Sequence, residues 1–363
     1  MISSASATGG RVGGAYGYIG GAQTDVDSIG TVTLTGSGLR VGGLAGEAGG
    51  NITNGYAIGA VTASSSSEVG GLVGYYSSGT MTNVSSSGGN VTGTYNVGGL
   101  IGNASSINIT TASTTGNVTG SAQSVGGLIG AYTSGTLTTV SSTGTVSGTY
   151  NVGGLVGYNT LGLTLNGGSS TGNVTGSDYY VGGLVGYIDR GDTNIKNAFS
   201  TGNIRGTYGI GGLIGFTEIS NYANTKTIYN SYVTGTVQGT ATGDSYVGGL
   251  IGGTYWGYIN IFGSSYRGAS VTSTGSGVGG LVGQSFYRQI DIRNSYVNVS
   301  SATGVQGTFY VGGMVGYGGS NVSVQSDSTN TSVYGTSLSP YSNAKVTATS
   351  KTGNNAYAGG IAG

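Results

Sequence analysis

The apolar residues of this chain are grouped in a short pattern, Val-Gly-Gly-Leu-Val-Gly, here called the anchor, that returns along nearly the whole sequence. Complete copies stand at Val69–Gly74, Val152–Gly157, Val181–Gly186 and Val278–Gly283, and the other copies replace one or more of the apolar residues. The first seven steps between copies are 27 to 29 residues long, and the later steps are 31 to 47 residues long. Such a period is typical of a repeat protein. The copies start at Val12, Val41, Val69, Val97, Val125, Val152, Val181, Ile210, Val247, Val278, Val311 and Ala358.

Two further β-prone segments lie between successive anchors. One reads Gly-Asn-Val-Thr-Gly, as at Gly89–Gly93 and Gly172–Gly176, and the other is a looser apolar stretch such as Met81–Ser86. Gly and β-branched residues are unfavourable in helices, and a propeller blade needs four strands and about 40 residues. The pattern therefore predicts an all-β solenoid, or parallel β-helix, of about twelve coils of ~28 residues with three short strands each. At about 4.8 Å per coil the rod would be roughly 55–60 Å long.

The whole chain, residues 1–363, is predicted to be a single β-solenoid repeat domain. Regular coils are expected at residues 12–209, longer and more aromatic coils at 210–316, and an irregular last coil at 317–363. Insertions in repeat proteins often gather on one functional face. The longer coils are therefore the expected place for a binding site.

One leucine occupies the same place in nine of the twelve anchors, and Met314 and Ile361 replace it in the last two, which predicts a buried ladder along the rod. The two glycines before it predict a sharp corner or a close approach of neighbouring coils, since Gly leaves room for backbone. The predicted core ladder is Leu44, Leu72, Leu100, Leu128, Leu155, Leu184, Leu213, Leu250 and Leu281.

The residue after each leucine is also apolar, as at Val73 and Ile101. Adjacent residues of a strand point to opposite faces, so both columns can reach one core only if a corner lies between them. A corner at the glycines is one interpretation. The alternative is an exposed apolar stripe that packs against a second solenoid.

Composition excludes several classes of protein. Gly accounts for 80 residues, but a single Pro and the absence of a three-residue period exclude collagen. Regular apolar residues and a charged fraction of only 6% are unlike a disordered chain. The net charge is zero and the eleven cations are scattered, so we expect no nucleic-acid partner. The sequence has no Cys and no run of eighteen apolar residues, so neither disulfides nor membrane insertion is expected.

Catalytic chemistry has few candidate residues. The chain has no His, which excludes a Ser-His-Asp triad and His metal ligation. The eleven carboxylates are sparse, and Asp189 with Asp192 is one of the close pairs. A calcium site there is an alternative to a solvated loop. We expect no enzyme, no catalytic residue, no metal site and no cofactor.

Aromatic residues cluster with acids in the later coils. Aromatic faces cover the apolar faces of sugar rings, and carboxylates accept bonds from sugar hydroxyls. The alternative is that tyrosines stack between coils and stabilise the rod. The candidate glycan-binding residues are Tyr180, Tyr187, Asp189, Tyr246, Tyr255, Trp256 and Tyr258.

An asparagine recurs in the middle segment of several coils. Its side chain would either stack in a hydrogen-bonded ladder or serve a turn. Three of these residues are also in Asn-x-Thr sequons, which makes them candidate glycosylation sites on an exported protein. They are Asn90, Asn117 and Asn173.

The anchor resembles the GLUG-motif repeats of bacterial surface proteins. The resemblance rests on Gly-Leu-Val-Gly at Gly71–Gly74, Gly-Leu-Ile-Gly at Gly127–Gly130 and the downstream Gly-Asn-Val-Thr-Gly segments. It covers residues from about 12 to 316. The resemblance implies an extracellular or cell-surface, adhesin-like protein and implies no catalytic residue.

These observations predict a structural subunit of an extracellular filament, fibre or surface layer that assembles by end-to-end stacking of solenoids. The expected partner is the chain itself, head to tail and also laterally. The alternative is a glycan-binding surface or phage-fibre adhesin. A polysaccharide-acting enzyme and an ice-binding protein with flat Thr rows are remote alternatives.

Overall fold

The computed structural model describes residues 5–7, 10–218, 224–325, 341–348 and 358–359. Within these ranges the backbone forms strands, turns and bends but no helix, and thus no apolar helix long enough to cross a membrane. The strands form three parallel sheets, and each passage through all three is one coil. The predicted β-solenoid is therefore confirmed. Most of the predicted irregular last coil, 317–363, lies outside the described residues.

The anchor sheet contains twelve strands, one from each anchor. Neighbouring strands pair with the equivalent residues aligned, so that Val97 lies beside Val125 and Gly98 beside Gly126. Its strands are Arg11–Gly13, Arg40–Gly42, Glu68–Gly70, Val97–Gly98, Gln123–Gly126, Tyr150–Gly153, Tyr179–Gly182, Tyr208–Gly211, Asp244–Gly248, Ser276–Gly279, Val311–Gly312 and Ala358–Gly359.

The second sheet, here the short-strand sheet, also contains twelve strands. Most of its strands come from the Gly-Asn-Val-Thr-Gly segments and their variants. Its strands are Ala5–Ala7, Val32–Leu34, Val61–Thr62, Val91–Gly93, Val118–Gly120, Val146–Gly148, Val174–Gly176, Ile204–Gly206, Val237–Gly239, Ser270–Ser273, Gly304–Gly307 and Val346–Ala348.

The third sheet, here the wide sheet, has 26 strands because most coils contribute two or three. The first group follows the leucine: Tyr16–Ile19, Ala45–Ala48, Val73–Tyr76, Ile101–Ser106, Ile129–Ser142, Val156–Asn159, Val185–Ile188, Ile214–Thr217, Ile251–Thr254, Val282–Ser285 and Val315–Gly318. The second group is Gln23–Ile29, Ile52–Ile58, Thr80–Ser87, Asn108–Thr114, Leu163–Ser170, Thr193–Lys196, Phe199–Ser200, Thr225–Tyr229, Tyr232–Val233, Tyr258–Phe262, Ser265–Tyr266, Ile290–Arg293, Tyr296–Val297, Val322–Gln325 and Tyr341–Ser342. The three sheets correspond to the three strands per coil that the sequence predicts, whereas the extra strand after the leucine was not predicted.

The leucine ladder lies at the corner between the anchor sheet and the wide sheet. All nine leucines predicted to form it are fully buried. The corner is itself hydrogen-bonded from coil to coil, as where the Leu44 amide donates to the Leu72 carbonyl at 2.8 Å. The following column is buried too, with Val73 and Ile101 at 0% exposure. The corner interpretation is therefore right and the exposed apolar stripe is wrong, because the bend turns both columns into the core.

Glycines allow the anchor sheet and the wide sheet to pack backbone against backbone. A β-carbon on Gly153 would overlap the carbonyl oxygen of Val156 and lie 2.7 Å from the amide nitrogen of Gly186. From the opposite side, a β-carbon on Gly157 would lie 2.5 Å from the amide nitrogen of Val125. No other residue type fits at these contacts between the two sheets. This explains why glycines flank the leucine and the apolar residue that follows it in each anchor.

Candidate functional site

A groove runs along the rod between the anchor sheet and the wide sheet. Side chains from the two sheets face each other across it, outside the contact that the glycines make. One wall is the residue before each anchor: Arg11, Arg40, Glu68, Asn96, Ser124, Asn151, Tyr180, Gly209, Tyr246, Gly277 and Tyr310. The other wall is the third residue of each strand that follows the leucine. These residues pair in register: Tyr18, Glu47, Tyr75, Asn103, Ala131, Tyr158, Tyr187, Phe216, Gly253, Gln284 and Tyr317.

The charged segment of the groove is its first part, at Arg11, Arg40, Glu47, Glu68 and Tyr75. Glu47 forms ion pairs with both arginines, and Arg40 Nε lies 2.9 Å from a carboxylate oxygen of Glu68. The Arg40 guanidinium also lies 4.1 Å from the centroid of the Tyr75 ring. Charges of both signs are thus matched across the groove, and their ion pairs bridge it.

The aromatic segment is the later part, from Tyr180 to Tyr317. The Tyr180 ring stacks on Tyr187 at 4.7 Å and on Phe216 at 4.9 Å between centroids. A β-carbon on Gly209 would lie 2.8 Å from the Tyr180 ring, so the glycine leaves space for the ring of the preceding coil. Burial raises the pKa of Tyr180 to about 12. The rings therefore fill this part of the groove, and Tyr180 does so as a neutral phenol.

The open segment lies between the other two. Its facing side chains are small or polar and leave a cavity of about 540 Å³. A second cavity of about 300 Å³ continues it and shares Gln123 and Asn151 with the first. The facing pairs are Asn96 with Asn103, Ser124 with Ala131, and Asn151 with Tyr158.

The backbone before most anchors is left-handed, which aims the side chain into the groove. Asn96, Ser124 and Asn151 have φ of 44°, 64° and 52°, and Tyr180 has φ of 62°. Asn and Gly tolerate this region better than other residues do. The left-handed backbone therefore favours asparagine at Asn96 and Asn151, in addition to the hydrogen-bonding capacity of the side chain.

The structure brings together four of the seven candidate glycan-binding residues. Tyr180, Tyr187, Tyr246 and Tyr255 all contact Phe216 in the aromatic segment, so their ring faces pack within the protein.

The other three candidates lie apart from this cluster. Asp189 accepts hydrogen bonds from Tyr158 and Arg190. Trp256 stacks on Tyr287 at 4.0 Å, and Tyr258 is exposed beneath Arg288.

The asparagine column forms a ladder with the backbone. The Oδ1 atom of Asn90 accepts from the Asn117 amide at 3.2 Å, and Asn173 accepts from Asn203 at 2.9 Å. Asn90, Asn117 and Asn173 are exposed, and their glycosylation stays a prediction.

Sequence reasoning missed a second ladder on the wide sheet. There the Asn54 and Asn83 amides each donate at 2.7 Å to the preceding coil, and both residues have left-handed backbone. The Asp25–Asn54–Asn83 spacing of 29 residues was the available signal.

Both members of the acidic pair considered for calcium accept hydrogen bonds from neighbouring coils. The Asp192 carboxylate accepts from the Thr225 amide at 2.8 Å. Across the part of the chain that the structure describes, no group of three or more acidic side chains lies close enough to hold a metal ion.

Lys226 is a buried charge that the sequence did not reveal. It lies in strand Thr225–Tyr229, has no exposed surface, and donates from Nζ to the carbonyl oxygen of Gly191. Its register partner Thr193 is also buried, and the Thr193 hydroxyl has no hydrogen-bond partner among the described residues. Burial lowers the pKa of Lys226 to about 8, although Asp192 and Asp189 act in the opposite direction.

Comparison with protein-family models gives one result that fits this architecture. Comparison with the curated proteins and with the solved structures gives no match. The model of the GLUG motif matches residues 177–205. That stretch begins before the anchor Val181–Gly186 and ends in strand Ile204–Gly206, so it spans one coil. The chain is thus similar to the GLUG-repeat proteins, and the matched motif corresponds to one coil of its solenoid.

Proposed function

We propose that the chain is a rigid structural rod, a subunit of an extracellular filament, fibre or surface layer that stacks end to end. The observation that supports this role is the parallel pairing of each coil with the next in all three sheets, interrupted only by one register shift between Asp244 and Val247 in the described residues. A rod of this kind resists bending because each coil is hydrogen-bonded and packed against both neighbours.

The groove supports the same role over most of its length. Ion pairs of the charged segment and stacked rings of the aromatic segment link side chains of successive coils. Such contacts rigidify a rod without supplying chemistry. The GLUG resemblance supports a location outside the cell, which is part of the proposal.

The shape and the assembly are tested separately. Small-angle scattering at low concentration is expected to give a rod of roughly 55–60 Å, the length of twelve coils at about 4.8 Å. Negative-stain electron microscopy across a concentration series is expected to show uniform filaments with that axial repeat. Single rods at every concentration would contradict end-to-end stacking but leave the rigid rod standing.

A second candidate function is glycan binding at the later coils. The supporting observation is an aromatic surface at Trp256, Tyr258 and Tyr287, in which Trp256 stacks on Tyr287 and Tyr287 is 51% exposed. Exposed ring faces of this kind suit the apolar face of a sugar.

Trp256→Ala is expected to abolish any signal on a glycan array that arises from this surface. Tyr95→Ala, which truncates an exposed ring on an earlier coil, is the matched control. Equal glycan binding by both variants would exclude the Trp256 surface as the site.

A further inference from the structure

The open segment of the groove differs from the rest in the side chains that face each other across it. Ion pairs bridge the charged segment and rings fill the aromatic segment, whereas Ser124 and Ala131 line a cavity without charged residues. At about 540 Å³ the cavity lies within the size range of ligand sites, roughly 300–1,000 Å³.

The lining of the cavity is polar and uncharged. Side-chain amides come from Asn96, Asn103, Gln123 and Asn151, and hydroxyls come from residues such as Thr160. Amides both donate and accept hydrogen bonds, as sugar hydroxyls do. No charged residue lines this cavity or its continuation within the described part of the chain, so the lining offers no ion pair to a charged ligand.

The continuation supplies an aromatic wall. Tyr150 and Tyr179 stack on each other at 5.8 Å between centroids, and both line the smaller cavity beside Asn151. Each ring is partly exposed, at 38% and 43%. A partly exposed aromatic pair next to a row of amides presents apolar carbons and hydrogen-bonding groups to the same ligand.

The neighbouring contacts hold the polar groups in place. Asn103 donates from Nδ2 to Glu68 at 2.8 Å, which orients its amide. The Tyr158 hydroxyl lies 3.3 Å from Asp189. The left-handed backbone of Asn96 and Asn151 aims their amides toward the groove. The site is therefore organised before any ligand arrives.

We infer that the open segment binds a neutral oligosaccharide of two or three sugar units, laid along the rod with one ring against Tyr150 and Tyr179. The facing pairs span three coils, which is about 10 Å between the first and the third. This inference does not depend on end-to-end assembly, and it uses a different surface from the Trp256 surface.

Ala131→Tyr is the decisive variant, because a tyrosine at this column already stands in the neighbouring coil at Tyr158 and would fill the cavity without a new backbone conformation. Asn151→Gly removes an amide and keeps the left-handed backbone, as Gly209 and Gly277 do at the same column. Thr175→Ala, exposed on the short-strand sheet, is the control.

The probes are cellotriose, maltotriose, mannotriose and chitotriose, with trigalacturonate as the acidic comparison, each titrated by calorimetry to millimolar concentration. We expect at least one neutral trisaccharide to bind, Ala131→Tyr to weaken it at least 20-fold, Asn151→Gly to weaken it about 10-fold, and Thr175→Ala to leave it unchanged.

Hydrogen exchange locates the bound sugar independently of the variants. Protection is expected in residues 96–160 and not around Trp256. Absence of binding by every neutral probe, tighter binding of trigalacturonate, or full binding by Ala131→Tyr would each overturn the inference. Circular dichroism of Ala131→Tyr confirms that the variant is folded.

Discussion

Gly153→Ala is expected to lower the free energy of unfolding by at least about 3 kcal/mol, although alanine is a small residue and Gly153 has an ordinary backbone conformation. The added methyl group would overlap the carbonyl oxygen of Val156 across the contact between the anchor sheet and the wide sheet. The obstacle is backbone, which cannot rotate away as a side chain can. Urea unfolding followed by circular dichroism measures the effect as a lower midpoint.

Gly243→Ala is the matched control, because nothing lies within 4 Å of a β-carbon at that position. Its free energy of unfolding should stay within about 0.5 kcal/mol of the wild-type value. Equal stability of the two variants would show that the sheets do not pack backbone against backbone at Gly153. Hydrogen exchange should place the loss of protection in the coils that contain Gly153 and Gly186.

The free energy of unfolding is expected to rise by about 2 kcal/mol between pH 8 and pH 9.5, owing to Lys226. Its pKa in the folded chain is about 8, below the ordinary value of 10.5. Between these values the unfolded chain binds more protons than the folded chain, so stability rises as the pH rises. Above pH 10 the buried tyrosines Tyr76, Tyr132 and Tyr266, whose pKa values are raised by burial, reverse the trend.

Lys226→Met tests this assignment, since methionine occupies a similar space without charge. The variant should lose the rise in stability between pH 8 and 9.5 and be more stable than wild type at pH 7. Lys196→Met, on an exposed side chain, should retain the rise. A rise that persists in Lys226→Met would assign the pH dependence to another group.

The three segments of the groove show that one repeated backbone arrangement can present side chains of different chemistry. The positions before the anchor and after the leucine are the same in each coil, and only their side chains differ. Ion pairs at Arg40, an uncharged polar cavity at Ser124 and stacked rings at Tyr180 follow in order along one rod. A repeat protein can in this way hold a binding site within a surface that otherwise serves rigidity.

The sequence alone was sufficient for the solenoid, its three sheets and the leucine ladder. A period near 28 residues places equivalent residues above one another, so that one chain displays each structural position about twelve times. Leu128 could be assigned to the core because its equivalents are almost all leucine. The asparagines and the tyrosines were visible as columns for the same reason.

Only the tertiary structure decided how the columns face one another. Asn96 precedes the strand Val97–Gly98 and Asn103 lies in the strand Ile101–Ser106, on the other side of a sharp corner. Their spacing of seven residues does not reveal that they share a cavity. Lys226 looked like any surface lysine, because its burial depends on the coil that covers it. Repetition reports which residues are equivalent, whereas contact across the groove depends on the angle at the glycine corner, which no periodicity encodes.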